Sequence, residues 1–148
     1  MSILFKTKTF QELSTSELYE VLRLRSEVFV VEQNCVYQDI DNKDQKALHV
    51  LGYFQNELIA YCRLFDQGDY FENTSIGRVI VSQNHRDKKF GNNLMIEAIN
   101  QIETYFNTQK ITISAQLYLQ KFYESHGFKT TSDSYLEDDI PHIEMKKD

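Results

Sequence analysis

The segment Gly77–Met95, GRVIVSQNHRDKKFGNNLM, contains the residues best suited to bind a phosphate group. A β-rich run, Ile76–Val81, leads into a polar turn and then into the cations Arg86, Lys88 and Lys89, after which a helical pattern begins. Unpaired N–H groups at the start of a helix, with cations beside them, form a natural site for an anion. The segment therefore predicts a phosphate-binding loop. A solvated basic loop before a helix is the alternative interpretation.

Carboxylates elsewhere in the chain are candidates for attracting a positively charged substrate. Six of them lie in two predicted loops: Glu32, Asp39, Asp41, Asp44, Glu137 and Asp138. They form either a cation-attracting rim or a solvated loop face, and both interpretations remain open. Arg63 and Arg78 lie inside predicted strands, where an arginine usually needs a carboxylate partner. We expect structural ion pairs for both, with Glu32 or with the Glu137–Asp138 pair.

Histidines and cysteines are the remaining residues with reactive side chains. His49 and His142 each lie in or beside a predicted strand, where a single histidine is more often structural than catalytic. Cys35 and Cys62 lack the accompanying signature of a cysteine nucleophile, so burial is favoured over catalysis. Two cysteines do not make a disulfide framework, which indicates a reducing compartment. The four histidines show no ligand spacing, so we predict no metal.

The composition of the 148-residue chain excludes several classes of protein. A net charge of −6 argues against a nucleic-acid partner, because such proteins usually carry a basic face. A hydrophobic share of 41% suffices for a core, and no repeat or linker divides the chain, so residues 1–148 are predicted to form one domain. No apolar run approaches membrane length, and the N-terminus lacks a signal-peptide core. We expect a soluble cytoplasmic protein with no membrane partner.

The elements that must position these residues follow from the periodicity of the apolar side chains. Ser14 and Glu17 have capping-box spacing, and Leu94, Ala98 and Ile102 belong to the strongest helical stripe. The predicted strands are Ile3–Lys8, Ala47–Phe54, Glu57–Phe65, Ile76–Val81, Lys110–Ala115, Phe128–Thr131 and His142–Lys146, with Gln55-Asn56 as a hairpin turn. The predicted helices are Thr15–Val30, Gly91–Asn107 and Leu117–His126, the last ended by Gly127. This order predicts an α/β (α+β) fold: a mixed, mostly antiparallel twisted sheet with helices on both faces.

Several longer stretches resemble the GCN5-related N-acetyltransferases (GNAT), and within them the ElaA-like branch. These are LRSEVFVVEQNCVYQDID (Leu24–Asp41), IGRVIV (Ile76–Val81), SAQLYLQKFYESHGF (Ser114–Phe128) and YLEDDIPHIEM (Tyr135–Met145). The segment Arg86–Gly91 resembles the family pattern Arg/Gln-x-x-Gly-x-Gly/Ala, with Gly91 matching and Lys89 where the first glycine is usual. Glycine permits φ > 0. If the backbone must adopt such a φ here, the Lys89 side chain would crowd a pyrophosphate. The alternative is that Lys89 adds a cation to the phosphate site. Asp139 also stands where glycine is more usual.

The resemblance implies that the chain takes acetyl-CoA as co-substrate. The strand would contact the pantetheine arm and the loop would hold the pyrophosphate. The residues carried over are Val79, Ile80, Val81, Arg86, Asp87, Lys88, Lys89, Phe90, Gly91, Asn92 and Asn93. Tyr123, in Tyr-x-x-x-Gly-Phe, matches the tyrosine that many members use as general acid, and a core aromatic beside Phe122 is the alternative. A phenol has a pKa of about 10 and a thiol one of about 8.5, so the phenol still holds its proton at pH 7 and can give it to the departing sulfur of CoA.

The reaction implied by the resemblance is acetyl transfer to a primary amine of a small molecule or peptide by direct attack. An alkyl amine with a pKa of about 10.4 must first lose a proton, which costs about 4–5 kcal/mol at pH 7. The candidates for the base and for substrate binding are Glu32, His49, Glu137, Asp138 and His142. A non-catalytic CoA-binding or sensor module is the alternative function. A homodimer is compatible with this fold.

Overall fold

The computed structural model describes residues 2–148, and eight strands in this range form one sheet. The strands are β1 Leu4–Thr9, β2 Leu48–Phe54, β3 Glu57–Phe65, β4 Thr74–Val81, β5 Ile111–Gln116, β6 Lys129–Thr130, β7 Tyr135–Glu137 and β8 Ile140–Lys147. The α-helices are α1 Thr15–Arg25, α2 Phe90–Phe106 and α3 Gln120–Glu124. A π-helical segment, Ser26–Glu32, continues α1, and 3-10 turns occupy Asp44–Lys46, Gln83–Lys88 and Leu117–Leu119. No helix within residues 2–148 is both long and apolar enough to cross a membrane.

The strand order is β1-β2-β3-β4-β5-β8-β6, with β7 paired to β8. β4 and β5 are parallel, whereas the other paired strands are antiparallel. Neighbouring residues of β2 enter different cores, since Val50 packs in the core that contains α2 and Leu51 in the core that contains α1. Because successive strand side chains point to opposite faces, α1 and α2 cover opposite faces of the sheet. The predicted mixed, mostly antiparallel sheet with helices on both faces is confirmed.

Local sequence signals set most of the element boundaries. Ser14 accepts a hydrogen bond from the Glu17 N–H, and the Glu17 carboxylate accepts one from the Ser14 N–H, which confirms the capping box. Gln55 and Asn56 have φ values of 52° and 66°, as a two-residue hairpin turn requires. Gly127 ends the helical segment around α3 with a φ of 93°.

Two predicted boundaries were wrong. The helix predicted over Thr15–Val30 is α-helical only to Arg25 and then widens into the π-helical segment. The prediction missed this change because, over so few residues, an apolar stripe does not distinguish the period of an α-helix from that of a π-helix. The stretch between the last two predicted strands was given no strand, but it contains β7. A two-residue turn joins β7 to β8 with Asp138 and Asp139 at φ values of 51° and 63°. Two aspartates are a weak turn signal compared with Asn-Gly.

Buried arginines bind the acidic loop between α1 and β2. Arg25 is fully buried and donates to the carboxylates of Asp39 (Nε–Oδ2 2.8 Å) and Asp44 (Nη1–Oδ1 2.7 Å). Arg63 is also buried and donates to Asp44 Oδ1 at 2.8 Å and to both oxygens of Asp41. Although burial opposes ionisation, hydrogen bonds from both arginines hold the pKa of Asp44 below its ordinary value. These carboxylates therefore stabilise the fold instead of forming a cation-attracting rim.

The expected partners of the strand arginines were wrong. Arg78 donates from Nε to Asp39 Oδ1 at 2.8 Å and from Nη2 to the Asp39 carbonyl at 3.1 Å. Glu32 pairs with Arg86 instead, and Glu137 has His142 as its nearest basic partner. Ion pairs between distant chain segments depend on tertiary contacts that the sequence pattern does not specify.

Asp44→Asn should lower the free energy of unfolding by about 3 kcal/mol or more, because it leaves two buried guanidinium groups without a shared anion. The measurement is urea unfolding followed by circular dichroism at pH 7, where the lowered pKa keeps Asp44 ionised. Glu27→Gln is the control, since Glu27 of the π-helical segment forms an exposed pair with Arg23 of α1, and its loss should cost at most about 0.5 kcal/mol. Equal losses in the two variants would contradict a structural role for the buried pairs.

Candidate active site

A cavity of about 520 Å³ opens between β4 and β5. These strands pair only at Thr74–Ile111 and Ser75–Thr112, and they separate beyond this point. Both strands line the cavity, β4 with Val79, Ile80 and Val81, and β5 with Ile113, Ser114 and Gln116. The edge of β4 that has lost its partner strand can therefore offer main-chain N–H and C=O groups to a ligand that carries amides.

A bulge in β4 lies where the two strands separate. The register of β4 against β3 shifts between Tyr61 and Arg63, and Arg78 occupies the bulge with a φ of 51°. Such bulges bend a strand and increase its twist. The hydrogen bonds from Arg78 to Asp39 hold Arg78 in a backbone conformation that is unfavourable for residues other than glycine. The bulge therefore helps to direct β4 away from β5.

The basic loop forms one end of the cavity. Lys89 precedes α2 with a φ of 60°, and no side chain caps the N-terminus of this helix. In the first turn, the Asn92 N–H donates to the Lys89 carbonyl at 3.2 Å, whereas the N–H groups of Phe90 and Gly91 have no partner within the described residues and can serve an anion. Four residues of the predicted phosphate loop line the cavity: Arg86, Lys89, Gly91 and Asn92.

The other four loop residues do not line the cavity. Phe90 is buried in the core against Phe54, with ring centroids 5.1 Å apart. Lys88 Nζ lies 3.7 Å from Asp87 Oδ1. Asn93 is exposed on α2. The family resemblance assigned these residues to the loop as one segment, but the helical turn directs only part of that segment toward the cavity.

Arg86 is already bonded to two acceptors in the structure. Its Nη1 and Nη2 donate to the two oxygens of Glu32 at 2.5 and 2.8 Å, and its Nε donates to the Val81 carbonyl at 3.0 Å. The pair joins the end of the π-helical segment to the phosphate loop, and both residues line the cavity. An anion bound here would compete with Glu32 for the same guanidinium.

Tyr123 lies in the cavity wall on α3 and is 6% exposed. Its ring packs edge-on against Phe122 and Phe128, with centroids 5.1 and 6.1 Å away. Burial raises the pKa of the phenol, and Cys62 and Tyr118 add smaller contributions in the same direction. The phenol is thus a group that keeps its proton at neutral pH. Of the hydrogen bonds among residues 2–148, none uses its hydroxyl, which leaves the proton free for a ligand.

Glu137 and His142 meet at the wall of the cavity formed by β5, β7 and β8. Glu137 Oε2 lies 3.5 Å from His142 Nε2, and Ser114 Oγ donates to Glu137 Oε1 at 3.1 Å. The pairing of β7 with β8 brings these side chains together. This wall thus combines a carboxylate with an imidazole, which are the groups that commonly bind or deprotonate an amine.

Two of the predicted substrate residues lie outside the cavity. His49 is fully buried, and its ring nitrogens contact Tyr61 Oη at 2.6 Å and the Asp44 carbonyl at 2.9 Å. Burial lowers the pKa of this imidazole, so it is held neutral in the core. Asp138 lies in the β7–β8 turn, where its carbonyl accepts a hydrogen bond from Cys35 Sγ at 3.3 Å. The structure thus gives both residues structural contacts.

Sequence reasoning missed two amides in the cavity wall. Gln33 and Gln116 donate to each other's carbonyl oxygens at 3.1 and 3.3 Å, and this pair connects the segment after α1 to β5. Ser114 and Gln116 lie two residues apart and therefore on the same face of β5. Polar residues at alternate positions of an otherwise apolar strand were the signal that could have identified this wall.

The family model described as "Acetyltransferase (GNAT) domain" matches residues 9–148. The chain belongs to the GNAT acetyltransferase family. It is 45% identical to the ElaA protein of Escherichia coli (strain K12) over 139 residues, which are 93% of this chain and 91% of that one. The crystal structure of E. coli ElaA superposes with a TM-score of 0.92 at 42% identity, covering 99% of this chain and 100% of that one.

Further solved structures share this architecture. An acyl-CoA N-acyltransferase from Pseudomonas aeruginosa matches with a TM-score of 0.92 and 38% identity, covering 98% of this chain and 99% of that one. A GNAT family acetyltransferase from Elizabethkingia anophelis with acetyl-CoA bound matches with a TM-score of 0.69 and 16% identity, covering 98% of this chain and 97% of that one. The last match shows a common fold. The resemblance stated from the sequence motifs, including the ElaA-like branch, is confirmed.

Lys89→Gly should raise the free energy of unfolding by about 0.5–1 kcal/mol. The left-handed conformation costs a side-chain-bearing residue about 1–2 kcal/mol, and the greater freedom of unfolded glycine offsets part of that gain. Lys88→Gly is the matched control, because Lys88 lies in the preceding 3-10 turn. Glycine in this turn should lower the free energy of unfolding. Thermal and urea unfolding at pH 7 test the pair. A Lys89→Gly variant less stable than the parent would contradict strain at this position.

Proposed function

We propose that the chain is an acetyl-CoA-dependent N-acetyltransferase that acts on a primary amine by direct attack. The observation that carries the proposal is one cavity that combines three parts. These parts are the open edge of β4, the cationic loop at the start of α2, and the unbonded hydroxyl of Tyr123 in the cavity wall. Membership of the acetyltransferase family supports the same activity.

The proposed position of acetyl-CoA follows from the chemistry of these parts. The pyrophosphate would bind to the first-turn N–H groups of α2 together with Arg86 and Lys89, since an anion gains from a helix N-terminus and from adjacent cations. The amides of the pantetheine arm would pair with the free edge of Val79–Val81. This arrangement would bring the thioester into the part of the cavity that Tyr123 lines. The distant structural neighbour with acetyl-CoA bound shares the fold and is consistent with this assignment.

In the proposed mechanism, the neutral amine attacks the thioester carbon and forms a C–N bond. The C–S bond then breaks, and the Tyr123 hydroxyl donates its proton to the departing sulfur. Burial raises the pKa of the phenol, so Tyr123 holds its proton until negative charge develops on the sulfur. The nitrogen gives up a proton as the amide forms, and the Tyr123 phenolate regains one. The products are an N-acetyl amide and CoA with a free thiol.

A covalent route through cysteine has less support. Cys62 is fully buried, and burial raises the pKa of its thiol, which opposes formation of a thiolate nucleophile. Cys35 is not among the residues that line the cavity. Both cysteines are free, which accords with the proposed location in the cytoplasm. A homodimer, and the lack of nucleic-acid or membrane partners, remain predictions.

Isothermal titration of the protein with acetyl-CoA should give a sub-millimolar Kd. Lys89→Met should weaken binding about five- to tenfold, because it removes a cation from the phosphate end of the cavity; this equals about 1–1.4 kcal/mol. Lys88→Met is the matched control and should stay within about twofold, since Lys88 does not line the cavity. The absence of binding at millimolar acetyl-CoA would reject the proposed co-substrate.

Tyr123→Phe should lower kcat by about 10²–10⁴-fold, the usual range for losing a general acid, and should leave the Kd for acetyl-CoA nearly unchanged. Steady-state release of CoA with an amine acceptor measures the first quantity, and calorimetry measures the second. Tyr105→Phe, on the exposed part of α2, is the control. Equal turnover in the two variants would remove Tyr123 from the chemistry. A protein that binds acetyl-CoA but releases none with any amine would favour the non-catalytic alternative.

A further inference from the structure

Glu137 is the carboxylate of the cavity that has no arginine or lysine partner. Two carboxylates line the described cavity, Glu32 and Glu137. Both oxygens of Glu32 accept hydrogen bonds from Arg86. Within the described residues, the basic side chain nearest to the Glu137 carboxylate is His142, whose Nε2 lies 3.5 Å from Oε2. The side chain of Glu137 is 41% exposed, so its negative charge is available to a ligand in the cavity.

A chain of hydroxyl groups fixes the orientation of Glu137. Ser114 Oγ donates to Glu137 Oε1 at 3.1 Å and lies 2.5 Å from Tyr135 Oη. A serine hydroxyl has one proton, so Tyr135 must be the donor to Ser114 when Ser114 donates to Glu137. Oε1 is therefore occupied, and Oε2 is left facing His142. A carboxylate oriented in this way can bind a cation from a defined direction.

The hydrogen bonds of His142 determine which of its nitrogens can accept a proton. His142 Nδ1 lies 2.7 Å from the Ile140 carbonyl. A carbonyl only accepts hydrogen bonds, so Nδ1 carries a proton, and in the neutral imidazole Nε2 is left as an acceptor. In this neutral form, Nε2 and the carboxylate oxygen of Glu137 face each other as two acceptors, 3.5 Å apart. A primary ammonium group has three protons and can therefore donate to both acceptors at once.

We infer that the acceptor is a primary alkylamine that enters as its ammonium ion and is bound between Glu137 Oε2 and His142 Nε2; this rests on the function proposed above. Glu137 binds the cation, and His142 Nε2 takes one of its protons. The products of that step are a neutral amine and an imidazolium ion paired with Glu137. The amine lone pair then attacks the thioester, and the extra proton leaves from His142 to solvent. The ammonium ion and acetyl-CoA thus become an N-acetyl amide, CoA and one released proton.

The surroundings of the pair define the substrate class further. The titratable groups around the pair are Tyr135 of β7, Glu144 of β8, Tyr70 in the loop before β4, and Arg78 of β4, whose charge is paired with Asp39. None of these is a free cation, so an acceptor with a carboxylate beside its amine would meet the unpaired charge of Glu137. An amine on an alkyl chain, whether in a small diamine or in a lysine side chain, avoids this repulsion.

The test compares three acceptors in a CoA-release assay: 1,5-diaminopentane, Nα-acetyl-lysine methylamide and glutamate. We expect release with one or both of the first two and at least a 100-fold lower kcat/KM with glutamate. Comparison of the first two distinguishes a small diamine from a lysine side chain. The inference would be overturned if glutamate reacts as well as the alkylamines. It would also be overturned if the protein binds acetyl-CoA but releases no CoA with any of the three acceptors.

Two variants separate binding of the ammonium ion from removal of its proton. Glu137→Gln should raise KM for the amine at least tenfold, and His142→Asn should lower kcat about 100-fold and abolish the acidic limb of kcat/KM against pH. His142→Gln replaces His142→Asn if the latter unfolds. Glu144→Gln is the matched control on β8, because its carboxylate accepts from Thr131 outside the cavity. Variants within twofold of the parent in all these quantities would overturn the inference.

The binding of acetyl-CoA keeps the two hypotheses distinct. Calorimetry should give the same Kd for acetyl-CoA in the parent and in the Glu137 and His142 variants, because neither side chain belongs to the phosphate end of the cavity. Unchanged Kd values together with unchanged kinetics reject the amine site and leave the proposed function in place. A parent protein that fails to bind acetyl-CoA rejects the proposed function and, with it, this inference.

Discussion

Three buried or half-buried arginines hold the acidic loop before β2 against the sheet, and the rest of the site depends on this contact. Arg25 reaches the loop from the end of α1, Arg63 from β3 and Arg78 from β4. The opposite charges compensate one another, which is the condition for placing charges in a protein interior. One loop thereby connects a helix and two strands that are far apart in the sequence.

The geometry of the cavity follows from the same contact. Arg78 occupies the bulge of β4 with a positive φ, and its bonds to Asp39 stabilise that conformation against its intrinsic cost. Beyond the bulge, β4 no longer pairs with β5, and the space between them becomes the cavity. The open edge is thus maintained by side chains that do not take part in the chemistry. A rigid scaffold of this kind keeps reacting groups in place with little reorganisation.

The sequence predicted the parts of the structure that local interactions determine. The capping box at Ser14, the Gln55-Asn56 turn and the apolar stripe of α2 each depend on neighbouring residues, and each was confirmed. The partners of Arg63 and Arg78 were mispredicted because a charged side chain has many possible partners and only the tertiary fold selects one. The same reason explains His49, which the sequence offered as a substrate residue and which the fold buries between Tyr61 and a carbonyl.

If the chain has the function proposed above, the distribution of charge along the cavity would keep its two oppositely charged substrates apart. Arg86 and Lys89 lie on the side that follows β4, and Glu137 lies on the side of β7 and β8. The phosphates of a CoA ester are attracted to the first side and repelled by the second, whereas an ammonium ion has the opposite preference. Glu32 shields Arg86 until an anion competes for it. Opposed fields of this kind would direct each substrate to its own end and bring the thioester and amine together between them.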